Sequence, residues 1–125
     1  MWKLVNGKLQ QTTDMSRVKF RTTISKALIN ELSILAKKNN THVNYLIESG
    51  FVNFLDNGEE ISFNKDQRPK DRAHYKTTYD KELLEAIKEV AKENELYIND
   101  VIEYSTKFID VESSKNSNYR YRIEV

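Results

Sequence analysis

The 125-residue chain contains no cysteine, which excludes a disulfide framework and a zinc site held by thiolates. Its two histidines, His42 and His74, are too few for a site built on imidazole alone, so metal and redox chemistry drop out and no metal is expected. No stretch approaches the roughly 18 consecutive apolar residues of a membrane helix, and Met1 to Gly7 holds no continuous apolar signal-peptide core. A cytoplasmic protein without membrane contact is expected. Also missing are a glycine-rich phosphate loop, a nucleophile beside a base, and carboxylates paired at a defended spacing, so neither catalysis nor a cofactor is expected. A strong net charge is absent too, since 20 Lys+Arg against 19 Asp+Glu leaves +1.

What is present is a balance of 38% hydrophobic and 31% charged residues, which suits a small folded protein with one shared core. The charge is uneven. Residues 1–56 carry eight Lys/Arg and four Asp/Glu, while residues 57–125 carry twelve and fifteen, so any basic surface must be local.

A shift of 55 residues aligns the chain with itself without a gap. Val18-Lys19-Phe20-Arg21-Thr22-Thr23-Ile24-Ser25-Lys26 lies over Ala73-His74-Tyr75-Lys76-Thr77-Thr78-Tyr79-Asp80-Lys81. Identities continue at Leu28/Leu83, Ala36/Ala91, Lys37/Lys92, Asn39/Asn94, Asn44/Asn99, Ile47/Ile102 and Glu48/Glu103. Each copy opens with period-two alternation, which predicts a strand of about six or seven residues. Phe20, Thr22 and Ile24 then share one side, with Lys19, Arg21 and Thr23 on the other; Tyr75, Thr77 and Tyr79 oppose His74, Lys76 and Thr78 in the second copy. The period then lengthens, with Leu28, Leu32, Leu35 and Ala36, and Leu83, Ile87, Val90 and Ala91, at helical spacing behind the N-cap residues Ser25 and Asp80. After Asn39-Asn40 and Asn94-Glu95 a second helix is expected from Val43, Leu46, Ile47 and Phe51, matched by Ile98, Val101 and Ile102.

The division is an arm at 1–17, copies at 18–55 and 73–110, a linker at 56–72 and a tail at 111–125. Asn6-Gly7 has the composition of a hairpin turn, Ile61 to Phe63 of a short strand, and Tyr119 to Val125 of a terminal strand after a disordered Ser113 to Asn118. A lone strand exposes both edges, so the two copies should pair their strands antiparallel over a core of four helices. The fold class expected is mainly α with a short two-stranded antiparallel ribbon, two such repeats forming an intramolecular pseudo-dimer, and extra short strands at the termini.

Strand, helix, turn, helix, with Lys-Phe-Arg-Thr-Thr-Ile-Ser entering the first helix, resembles the ribbon-helix-helix family of Arc, MetJ and CopG. The tandem copies also resemble the arrangement of TraY. The resemblance covers residues 18–55 and 73–110 and implies a ribbon lying in the major groove of double-stranded DNA. By position it implies Lys19, Arg21, Thr23, His74, Lys76 and Thr78 as base readers. It also implies phosphate contacts at the second-helix starts, around His42, Val43, Asn44, Tyr97, Ile98 and Asn99. His42 and Tyr97 stand where the family usually carries Ser or Thr. Arg17 and Arg72, just before the strands, are further phosphate candidates, as are Arg68 and Lys70.

The expected function is a sequence-specific transcriptional regulator, a repressor, on an imperfect inverted repeat because the readers of the copies differ. From another class comes a protein-interaction module on the same fold, antitoxin-like or an assembly protein, and a relaxosome or partition accessory is a third reading. A monomeric pseudo-dimer that self-associates on DNA, and a bacterial, phage or plasmid origin suggested by abundant Lys, Asn, Ile and Tyr, complete the expectation.

Overall fold

A computed structural model describes residues 2–5, 8–11, 17–57 and 60–120. Among them the chain is mainly helical, with five helices and short antiparallel pairs of strands. Strands β1 (Trp2–Val5) and β2 (Lys8–Gln11) pair with Val5 opposite Lys8. The turn expected between them, Asn6-Gly7, lies outside the described residues. Then come β3 (Arg17–Ser25), α1 (Lys26–Lys38) and α2 (Val43–Asn57), followed by β4 (Arg72–Asp80), α3 (Lys81–Glu93), α4 (Ile98–Ser105) and α5 (Val111–Arg120).

The local chemistry of the two copies is the same. Ser25 Oγ accepts from the Leu28 N–H at 3.3 Å to start α1, and the Asp80 carboxylate accepts from the Leu83 N–H at 3.1 Å to start α3. Both helices end in a left-handed residue, Asn40 at φ 58° and Glu95 at φ 55°. Past that residue the chain folds back, and the N–H groups of Thr41 and Leu96 donate to the carbonyls of Ala36 and Ala91, each at 2.9 Å.

The core gathers one face of every element of this frame: Ile24 and Tyr79 from the strands, Leu32, Leu84 and Ile87 from the first helices, Ile47, Phe51, Val101 and Ile102 from the second. All are buried, and the rings of Phe51 and Tyr79 lie 5.5 Å apart. Helices α2 and α4 cross at Gly50, where a Cβ would meet the Ser105 carbonyl oxygen at 2.5 Å. Only glycine allows that approach.

Four expectations need correcting. The strands run nine residues, longer than expected, because Arg17 and Arg72 extend them and are held there by carboxylates. Ile61 to Phe63 form no strand; the linker instead has a 3-10 turn at Lys65–Gln67, where the Asn64 side chain accepts from the Asp66 N–H. Ser113 to Asn118 are ordered in α5, whose first turn is capped by Asp110, acceptor to the N–H groups of Glu112 and Ser113. Tyr119 and Arg120 continue that helix, which removes the terminal strand at that point; residues 121–125 are outside the described set.

Candidate nucleic-acid interface

The ribbon of β3 and β4 pairs in a register centred on Arg21 opposite Lys76, residues 55 apart, the same shift that aligns the sequence with itself. Lys19 therefore faces Thr78, and Thr23 faces His74. Alternation puts all six on the face turned from the core. Lys19, Arg21, His74 and Lys76 are exposed, whereas Thr23 and Thr78 are half-buried. Phe20, Thr22, Tyr75 and Thr77 line the other face, half-buried, with Ile24 and Tyr79 fully enclosed. Like charges directly opposite on a sheet face destabilise it, so the Arg21–Lys76 pair works against folding. The sole carboxylate in either strand is Asp80, at the far end and engaged as the α3 cap.

The ribbon ends are fastened by two glutamates at equivalent places on α2 and α4, Glu48 buried and Glu103 half-buried. The Arg17 guanidinium pairs with Glu48, which also accepts from the Asp80 N–H at 3.4 Å. At the other end Arg72 pairs with Glu103, which accepts from the Ser25 N–H at 2.9 Å. Burial pushes the Glu48 carboxyl above its ordinary value, although the Arg17 hydrogen bond and charge pull it down. With side-chain exposures of 10% and 14%, Arg17 and Arg72 are turned to these carboxylates and tie the ribbon to the helices. Their guanidinium groups thus have structural tasks where phosphate contacts were expected.

The second helices also reach the ribbon. Asn44 Nδ2 donates to the Thr78 carbonyl at 3.1 Å, and Asn99 Nδ2 donates to Thr23 Oγ1 at 3.0 Å. Arg17 Nε donates to Thr78 Oγ1 at 3.4 Å. Both threonine hydroxyls are thereby accepting bonds, which leaves Lys19, Arg21, His74 and Lys76 as the exposed part of the face. The asparagine side chains position the helix starts, and the backbone there is the group with free capacity. Carbonyls of His42 and Tyr97 accept the first intrahelical bonds, from Leu46 at 3.1 Å and Val101 at 3.4 Å. The N–H groups of Val43, Asn44, Ile98 and Asn99 meet no acceptor among the described residues. Two helix N-termini with open N–H groups flank the ribbon ends, a geometry suited to anions. His42 packs edge-on to Tyr45, with centroids 5.5 Å apart, and Tyr97 is exposed.

A cluster at the linker was not anticipated. Arg68 and Arg72 converge on the buried Asp100, each at 2.8 Å, and Arg68 stacks over the Tyr97 ring at 4.5 Å. Burial drives the Asp100 carboxyl upward, but the two arginines and the Tyr97 N–H outweigh it and hold it below its ordinary value. Asp71 reaches across to the other copy, accepting from the Ala27 N–H at 2.9 Å; that bond, aided by Ser25, lowers its pKa. The linker is therefore fastened at Arg68 and Asp71. The signal for the ribbon-end pairs was in the sequence: Arg17/Arg72 is a further identity at the 55-residue shift, beside Glu48/Glu103.

Among the described residues no group of His, Cys, Asp and Glu could hold a metal ion, and no helix is long and apolar enough to cross a membrane. No protein-family model, curated protein or solved structure matches the chain.

Proposed function

We propose that this chain is a sequence-specific double-stranded DNA-binding regulator, a repressor, made of two ribbon-helix-helix units that act as a pseudo-dimer within one chain. The β3–β4 ribbon enters the major groove, and Lys19, Arg21, His74 and Lys76 donate to base edges, with guanine O6 and N7 the natural partners of Arg and Lys. Val43, Asn44, Ile98 and Asn99 offer backbone N–H groups to phosphates on either side.

The observation that carries this reading is the exposed face itself, where Arg21 stands opposite Lys76 with no carboxylate among its neighbours on that face. Such a pair costs stability in the free protein and gains a partner on a polyanion. The two-unit reading is supported by the register centred on residues 55 apart, and by the reciprocal ties of Glu48 to Asp80 and of Glu103 to Ser25.

The test is selection of bound duplexes from a random pool at moderate salt, with Arg21→Ala/Lys76→Ala in parallel. Enrichment of an imperfect inverted repeat, lost in the variant, is the expected result. Unchanged enrichment in the variant would move the reading face elsewhere. A native chain that enriches nothing would favour the protein-interaction module. Control of transcription and an accessory role in DNA transfer differ in context and share this binding chemistry.

A further inference from the structure

The two ends of the ribbon face are chemically unequal. Lys19 and His74 hold equivalent places in the two copies, and both are exposed. Lys19 lies opposite Thr78 at one end, His74 opposite Thr23 at the other, with Arg21 and Lys76 between them. At the His74 end the Thr23 hydroxyl already accepts from Asn99, so the imidazole is the exposed polar group that reaches outward there. An ammonium stays charged through the physiological range, whereas an imidazole gains or loses its charge between about pH 5 and 8.

The surroundings of His74 are cationic or neutral. Across and along the ribbon stand Arg21 and Lys76. From α1 come Lys26, Ile29 and Asn30, which with Ile24, Ala73, Tyr75 and His74 line a depression of about 260 Å³. No carboxylate lines it. At the start of β4, Arg72 is held by Glu103 and Asp100. Of the carboxylates at this end, Asp71 accepts from the Ala27 N–H at 2.9 Å and Asp100 and Glu103 hold Arg72, while Asn30 is a neutral acceptor, so the anionic partner that a protonated imidazole favours would be supplied by phosphates of the duplex, with guanine O6 and N7 as base acceptors.

We propose that His74 is the specificity-determining residue that sets one half-site apart from the other, and that it recognises its half-site as the imidazolium, so that binding takes up a proton there. This rests on the ribbon being the DNA-reading element. Its consequence is a polar complex: the Lys19 half-site is recognised alike at every physiological pH, and the His74 half-site is recognised best on the acid side.

The experiment uses the full chain and the best duplex selected at pH 6 and at pH 8, followed by anisotropy titrations from pH 6 to 8 at one salt concentration. Native binding should weaken several-fold from pH 6 to pH 8, as expected where binding is linked to the uptake of one proton. His74→Lys should bind without pH dependence at the stronger level, and His74→Gln without it at the weaker level. A base change in one half-site should remove the pH dependence, and its mirror change in the other half-site should leave it. Native binding that is flat with pH, or a pH dependence that persists in His74→Lys, overturns the assignment while leaving the ribbon as reader. Failure to select any duplex at either pH overturns the DNA-binding reading itself and this inference with it.

Discussion

Gly50 and Ser105, 55 residues apart at matching places in the sequence repeat, meet where α2 crosses α4, and the glycine has no room for a methyl group beside the serine carbonyl. The obstacle is a backbone oxygen, which cannot rotate aside. Gly50→Ala should therefore push the helices apart at Ile47, Phe51, Val101 and Ile102 and cost about 1–3 kcal/mol, the range for overpacking a core. A urea melt should show a lower midpoint with an unchanged slope.

Glu95 adopts the same left-handed conformation as Asn40, but without the short amide side chain that tolerates it. Glu95→Gly should stabilise the protein by about 1 kcal/mol, and Asn40→Gly should change it by much less. Thermal melts of the two variants side by side check the contrast.

Asp100 is enclosed and held by two arginines, with its folded pKa below the ordinary value of 3.8. A depressed carboxylate contributes stability that is fully present above the unfolded value and disappears as pH falls through the folded one. Asp100→Asn should lower stability at pH 7 by about 3 kcal/mol, since a buried pair is broken. It should also flatten the decline below about pH 4. Denaturant midpoints from pH 2 to 7 measure both.

The Tyr79 hydroxyl is buried and has no hydrogen-bond partner among the described residues, and burial raises its pKa far above that of a free phenol. Desolvating a hydroxyl without a partner costs about 1–3 kcal/mol. Tyr79→Phe keeps the ring beside Phe20 and Phe51 and should raise the melting midpoint. A fall of more than about 1 kcal/mol would show that the hydroxyl is satisfied.

Arg17 and Lys19 sit two residues apart and should behave differently. Arg17→Ala strands the buried Glu48 and should act on stability, whereas Lys19→Ala should leave stability within about 0.5 kcal/mol. On DNA, Lys19→Ala should weaken binding, and should reduce the salt slope by about 0.9 only where Lys19 also neutralises a phosphate. Melts and titrations at several salt concentrations separate the two effects.

The paired strands and their helices were legible because two periods are written plainly: alternation at Lys19 to Ile24 and spacing near four from Leu28 onward, with Ser25 between them as cap. The helix at Val111 was not, since Ser113 to Asn118 have no apolar period. Its position comes from contacts far along the chain, Asp110 donating its N–H to Ser49 Oγ and Asn53 donating to the Phe108 carbonyl. Asp110, which accepts from the N–H groups two and three residues on, is the one local signal for that start. At the candidate site, alternation placed Lys19, Arg21, His74 and Lys76 on the outer face. It could not show that Arg17 and Arg72 turn inward, because their partners Glu48 and Glu103 lie 31 residues downstream.

Both strands of the ribbon belong to one polypeptide. In a two-chain ribbon every codon change appears twice, once on each side of the axis, so a partner that loses symmetry cannot be followed by small steps. Here a change at Lys19 leaves His74 as it was. On the proposed reading, mutation can therefore tune one edge of the ribbon while the other keeps its side chains, and an asymmetric target lies within reach of single substitutions.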